Sequence, residues 1–467
     1  MNDYPIETRL LIDGVEATAD PNDLRDGLPT WLDGMSLTWG RSSNVEQPEV
    51  GTCTFVLRQQ LVGNVSPMLD VIKVGATVEV WSDITTDDGV VSVPVWSGAV
   101  ASAIGQAAGY AAVEFTVVAS DAAAPLADET IGDDPWPVQT VGTRVDRILE
   151  LAQTDTAPIQ VDPALLDFTL TYRDVDAQPV LGLLQEIADS VGGVLWVATD
   201  VELGTYMWIE DPSRRAALRQ FLVDAETGLV TISNNTRGSE VISAADLLRD
   251  PIQWTQDKAQ VINSVDVTWQ RQDTDNDGKP SPTSKTITVT QGTPAIIRKL
   301  GVETQLTTQL DASALASRLI ALVGSTNGWI ASGLSINTVV LQRNLPDLGY
   351  SQRLSMITQL LDGTARLGKA ITLIDLPEWT PGGDQASVYL EGGTYTLSNG
   401  RWILDLTVSA VAGQGQSATF ADFDGTGVRL MDFEPSIQVA DAWGVAGPNA
   451  TALGMGSGLF GSQTFGA

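Results

Sequence analysis

The chain has 467 residues, enough for roughly two to four domains, and a formal charge of −32 from 58 acidic and 26 basic residues. That balance argues against a phosphate-gripping surface, which needs clustered Lys and Arg to displace counterions. With no histidine and one cysteine, Cys53, the chain has no intrachain disulfide, Ser-His-Asp triad, Cys-His dyad or His-ligated zinc. No apolar run is long enough to cross a bilayer as a helix. Met1-Asn2-Asp3-Tyr4-Pro5 lacks a basic stretch before an apolar one, so no secretory signal is expected.

In chain order, residues 6–20 read as a hairpin that turns at Asp13-Gly14. Met35–Trp39 starts a strand, Gly40–Ser43 breaks it, and Thr52–Leu57 alternates as the next strand, with Cys53 as a small half-buried residue. Residues 74–121 carry a cassette: Gly75-Ala76-Thr77-Val78-Glu79-Val80, then Trp96-Ser97-Gly98, then Val113–Val117. Helical spacing follows. Val141–Gln153 carries Val145, Ile148, Leu149 and Ala152 on one face, with Thr143 and Asp146 spaced as a capping box. Asp176–Val191 reads as a second helix, with Pro179 in its first turn and Gly192-Gly193 as its stop. Leu195–Val197 and Tyr206–Ile209 read as paired strands. Residues 261–269 and 286–290 alternate as strands, and Asp311 is expected to cap a third helix ended by Gly324. Leu334–Leu341 is a further strand.

The cassette then recurs between 366 and 411. Gly368-Lys369-Ala370-Ile371-Thr372-Leu373 is followed by Leu390-Glu391-Gly392 and Leu404–Val408. The Gly-to-Gly spacing is 23 residues in the first copy (75 to 98) and 24 in the second (368 to 392). A repeat so far apart in one chain implies two similar small barrels. The expected fold class is mainly β with an α+β insertion and an extended C-terminal arm. The expected division is 1–125, first β-barrel with its hairpin; 126–250, α+β insertion and return strands; 251–411, second barrel with one helix; 412–467, Gly-rich arm. The arm cannot bury enough surface to fold alone and is expected to be held by another subunit or a partner.

Candidate chemistry is sparse. Asp273-Thr274-Asp275-Asn276-Asp277-Gly278 matches the first half of a calcium loop, with oxygens at positions 1, 3 and 5 and glycine at 6. Position 12 is Ser284 where a bidentate acid is required, and strands rather than helices flank it. An acidic hairpin loop is the stronger reading, so no metal site is assigned; Asp273, Asp275 and Asp277 remain the weak candidates. Asp83, Asp87, Asp88, Asp133 and Asp134 read as solvated turn acids, although paired carboxylates could serve a glycan hydrolase. The 13 tryptophans fall mostly in strand or helix-flanking patterns, which favours core, rim or interface packing over a sugar platform. No catalytic residue and no cofactor is expected.

Several segments, in order, resemble one family. Leu37–Ser43, then Glu46-Gln47-Pro48-Glu49 and Thr52–Phe55, are similar to the start of minor tail proteins of actinobacterial siphophages. Val95–Val100, Asp176–Leu181 with Gly192–Val197, and Leu390–Gly392 with Gly400–Trp402 and Leu404–Val408 resemble successive parts of the tail hub (baseplate hub) family. The resemblance implies a non-enzymatic virion component made in the bacterial cytoplasm. It implies a homotrimeric ring at the tail tip, contacting a distal tail protein, tape measure protein and other tip proteins. DNA would pass through its channel without specific binding. Two barrels in each of three subunits imitate six, which lets a threefold ring meet a sixfold tail. A hexameric distal tail ring, a carboxylate-dependent glycan hydrolase and a host-binding adhesin are the alternatives.

Overall fold

The computed structural model describes residues 6–17, 30–43, 45–60, 68–86, 89–108, 112–153, 157–200, 204–211, 220–223, 230–233, 240–243, 253–256, 262–274, 281–290, 297–323, 329–332, 334–337, 350–363, 367–376 and 386–410. The proposed arm at 412–467 lies outside them.

The first barrel unit contains β1 (Ile6–Ile12), β2 (Val15–Glu16), β3 (Thr30–Gly40), β4 (Thr52–Gln60), a one-turn α1 (Met68–Val71), β5 (Thr77–Thr86), β6 (Gly89–Ala107) and β7 (Ala112–Ser120). The β1–β2 turn is the expected one. Ile12 pairs with Val15, and Asp13 and Gly14 both take positive φ, 49° and 74°, as a tight two-residue hairpin demands. Alternating positions of β4, β5 and β7 point inward, burying Cys53, Phe55, Leu57, Val78, Val80, Phe115 and Val117.

The insertion runs through α2 (Ala124–Asp128), β8 (Thr130–Trp136), β9 (Gln139–Thr140), α3 (Val141–Leu151), β10 (Ile159–Val161), β11 (Thr169–Leu170), β12 (Arg173–Pro179), α4 (Val180–Val191), β13 (Val194–Asp200) and β14 (Gly204–Glu210). Two expectations change here. Helix α3 is capped by Thr140, whose side chain accepts from Thr143 N–H, so Thr143 lies inside the first turn. Helix α4 begins at Val180 rather than Asp176. Pro179 lacks an N–H and disfavours helical backbone at Gln178, so Arg173–Pro179 stays extended and pairs with β8. Gly192 ends α4 in the left-handed conformation, as expected.

Then come β15 (Gln220–Val223), β16 (Val230–Ser233), β17 (Glu240–Ser243), β18 (Gln253–Gln256), β19 (Ser264–Arg271), β20 (Thr283–Thr290), β21 (Lys299–Glu303) and α5 (Gln309–Val323). Thr308, not Asp311, caps α5: its hydroxyl accepts from Asp311 N–H and bonds the Asp311 carboxylate. Val265, Val267, Leu315 and Ala316 of β19 and α5 share one core with Ile148, Leu184 and Leu195 of the insertion. Within that core Arg144 is buried. Its guanidinium lies over Trp136 and donates to Pro137 O, Thr171 O and Gln139 Oε1, which satisfies a cation held out of water.

The chain closes with β22 (Trp329–Ser332), β23 (Leu334–Asn337), α6 (Tyr350–Leu361), β24 (Ala370–Ile374), β25 (Ala386–Ser398) and β26 (Arg401–Ala410). Helix α6 is an element beyond those expected, and it buries Leu354, Ile357, Leu360 and Leu361 in the barrel core. The fold is mainly β with an α+β insertion between two related β-barrel units. One sheet runs through both units in the order β17-β24-β25-β3-β4-β7-β6-β5-β1-β2, with β26 and β23 continuing from the other edge of β25. The pairing of β25 with β3 therefore fuses the two units edge to edge.

Candidate assembly surface

The repeated cassette is β5-β6-β7 and β24-β25-β26, and its register can be matched bond for bond. In the first copy Gly75 N–H donates to Val100 O and Val100 N–H to Ala76 O; in the second Gly368 N–H donates to Leu390 O and Leu390 N–H to Lys369 O. Both glycines take positive φ, 87° and 73°. Each copy then has a one-residue bulge at the same place. The bulge lies between Val100 and Ser102 opposite β7, and between Leu390 and Gly392 opposite β26. Ser120 opposes Ala99 and Ser409 opposes Tyr389. This register corrects one detail of the sequence comparison. The counterpart of Gly98 is Val388, and the counterpart of Gly392 is Ser102. The similar glycine spacing is coincidental: the span from the turn glycine to the residue before the bulge is 25 in the first copy (75 to 100) and 22 in the second (368 to 390).

The two copies differ along the edge that follows the bulge. In the second, Gly392–Ser398 of β25 pairs antiparallel with Gly40–Gly34 of β3. Gly40 makes that approach possible. It has φ 79°, and a side chain there would run into the backbone of Glu391 and Gly392. Beyond Gly40, Arg41 N–H donates to Glu391 O at 2.9 Å. Arg41 Nε meets Glu391 Oε2 at 2.7 Å with the two side chains 2% and 1% exposed. Ser409 donates to the other Glu391 oxygen, and Arg41 also donates to Glu46 O. Tyr395 sits edge-on to Trp39 and its hydroxyl donates to Leu360 O of α6. Glu391, the bulge residue, is thus the point at which the second unit is locked onto the first.

The insertion docks on the same seam. Gln47 donates to Asp189 Oδ1 and Gly193 O and accepts from Leu195 N–H, and Gln185 donates to Pro48 O. Trp196 and Trp208 stack across β13 and β14, and both join a cluster with Trp39 and Leu367. Where β7 leaves the barrel, Asp121 accepts from Gly51 N–H at 2.7 Å and Ala123 N–H at 3.0 Å. Burial pushes its carboxyl up to about 6, with the two backbone bonds opposing the shift.

The weak calcium candidates are not brought together by the described residues. Asp273 lies beside Arg271, with Nε to Oδ1 at 3.4 Å, while Asp275 and Asp277 lie outside the described residues. Among the described residues no group of three metal-ligating side chains converges. Asp83 pairs with Arg9 and accepts from Ser92, and Asp87 and Asp88 lie outside the described residues. Cys53 is fully buried and its thiol is pushed well above the usual range by desolvation, which leaves it unreactive. Trp96, Trp136, Trp196, Trp269 and Trp402 are buried, which places those indoles in the core.

No protein-family model matches the chain, and no curated protein matches it in sequence. Solved structures do match in fold. A tail protein from Neisseria meningitidis MC58 is similar over 87% of this chain and 97% of its own, at 13% identity and a TM-score of 0.50. The 43 kDa tail protein of prophage MuSo2 from Shewanella oneidensis is similar over 87% of this chain and 99% of its own, at 12% identity and a TM-score of 0.51. The chain has the fold of these tail proteins.

Proposed function

We propose that the chain is a structural subunit of a phage tail, one of three in a hub ring at the tail tip. The observation that carries this reading is the cassette repeated with the same turn bonds and the same bulge in one polypeptide. A chain that presents one unit twice gives a trimer six similar units, which matches threefold symmetry to sixfold. The fold shared with two tail proteins supports the wider role. In this reading the ring contacts a distal tail protein above and surrounds the path of tape measure protein and DNA. The excess of acidic residues suits a channel that passes a polyanion without gripping it. The chain acts by assembly, not catalysis.

The test is the copy number and symmetry of the purified full-length chain, by light scattering and electron microscopy of particles. Three chains around one axis with six similar lobes is the expected result. Six chains would make it a distal tail ring, and a lone monomer in solution and on the particle would end the ring reading.

A further inference from the structure

We propose that the open edge of β6 at Ser102–Gly105 is the seat for β18 of a second copy of this chain, in a defined antiparallel register. The inference rests on the ring reading and adds the contact that closes it.

The argument is the unequal use of two equivalent edges. Strand β25 has β26 along one edge; its other edge holds β24 at Ala386–Leu373 and related pairs, then β3 from Gly392 to Ser398. Strand β6 has β7 along one edge; its other edge holds β5 as far as Ala99, and among the described residues nothing after the Val100 bonds. Residues 101–107 are exposed, and Ile104 is 68% exposed, an apolar side chain on an unpaired strand. Such an edge is a template for another strand.

The register identifies which strand fits. In the first unit β3 pairs with β4, Thr38 opposite Thr52 and Leu37 opposite Cys53. Phe55 of β4 opposes Val117 of β7, and Leu334 of β23 opposes Leu406 of β26. Val117 and Leu406 are counterparts by the cassette register, so Phe55 and Leu334 are too. Counting back through residue 333, Thr52 corresponds to Ala331 and Cys53 to Ser332. Those two residues pair with Trp254 and Gln253 of β18. Strand β18 is therefore the second unit's β3, and its far edge carries no strand among the described residues. Within one chain β3 seats on β25 with Thr38 opposite Thr394 and Trp39 opposite Gly393. The matching contact between chains sets Trp254 opposite Ile104, Thr255 opposite Ala103, Gln256 opposite Ser102 and Gln253 opposite Gly105. This is a head-to-tail contact, which makes a ring where the rotation between copies closes, and the ring reading sets that rotation at a third of a turn. Three chains then hold three internal junctions and three between copies.

The test is disulfide trapping in the full-length chain, carrying Ala103→Cys and Thr255→Cys together. Directly opposed antiparallel residues lie within disulfide reach, and buried Cys53 adds no background. Mild oxidation is expected to give a covalent trimer on denaturing gels, with each single variant remaining monomeric. The out-of-register pair Ala103→Cys with Gln253→Cys is expected to link on the order of tenfold more slowly. If the first pair fails to fold, Ser102→Cys with Gln256→Cys tests the same register. A trimer that forms but does not cross-link overturns the edge assignment and leaves the ring standing. Cross-links that stop at dimers, or that form within one chain, also overturn it. A chain that stays monomeric removes the ring, and the inference falls with it.

Discussion

At the bulge of β25 stands Glu391, buried against Arg41; at the same bulge of β6 stands Ala101, exposed. Next in register are Gly392 and Ser102, then Tyr395 packed on Trp39 and Gly105 beside Phe115. The two units share a backbone plan and differ in what the strand edge is dressed for. The second copy carries a charge, a glycine that admits a neighbouring backbone, and an aromatic anchor. The first carries small residues and one exposed isoleucine. The difference teaches that a repeat preserves backbone bonding while side chains decide whether a junction is permanent.

The comparison breaks most directly at the ion pair. Glu391→Gln leaves Arg41 buried without its counter-charge and is expected to destabilise the chain by roughly 3–5 kcal/mol. Urea unfolding checks this; a loss under about 1 kcal/mol would mean that the seam is not held by charge. Asp121 follows β7 where Ala410 ends β26, and it tests the exit of the first unit. Its folded carboxyl titrates near 6, above the unfolded value, so the folded state binds the proton more tightly. The contribution therefore favours the fold at acid pH and declines as pH rises from about 4 through 6. Relative to Asp121→Asn, wild-type stability is expected to fall by roughly 2–3 kcal/mol over that window, read from unfolding curves at several pH values.

Glycine substitutions sharpen the contrast further. Gly392→Ala puts a Cβ 2.7 Å from Trp39 O and 2.8 Å from Arg41 N, both backbone, and is expected to cost about 1–3 kcal/mol. Gly75→Ala meets open space and only the strain of its positive φ, so about 1 kcal/mol is expected from the same thermal or denaturant measurement. At the small end, Ala101→Gln occupies the bulge that Glu391 fills in the other copy. It is expected to shift monomer stability by no more than about 0.5 kcal/mol.

What could be read in the sequence was local. The Asp13-Gly14 turn and the Gly192 stop each follow from a residue that its own backbone conformation requires. The buried alternation of β4 and β7 followed from period-two patterning. The start of α4 falls four residues later than the sequence suggests, because a proline that fits a helix's first turn also holds the residue before it extended, and the apolar face begins only at Val180. Helix α6 is marked by Leu354, Ile357 and Leu361 at i, i+3 and i+7, a short signal among polar residues. The seam itself is not legible, because Arg41 and Glu391 are 350 residues apart and neither looks buried in its own segment. The repeat is visible but its alignment is not: the span from turn glycine to bulge is 22 residues before β25's bulge (368 to 390) against 25 before β6's (75 to 100), and periodicity does not reveal that shift.

The β25–β3 seam also sets an order of events during synthesis. Strands β1 to β7 lie within the first 120 residues and can pair as soon as they emerge. The outer edge of β3 then has no partner until the ribosome has made β25, which ends at Ser398. Between the synthesis of β7 and that of β25, the edge of β3 that β25 occupies has no partner in the chain. That edge is filled only by the last described hairpin, a contact of very long sequence separation and hence slow to form. On a polysome, neighbouring unfinished chains offer the same edge and, later, the same strand. Pairing with the wrong copy is therefore open from the moment β25 is made until it has found its own β3.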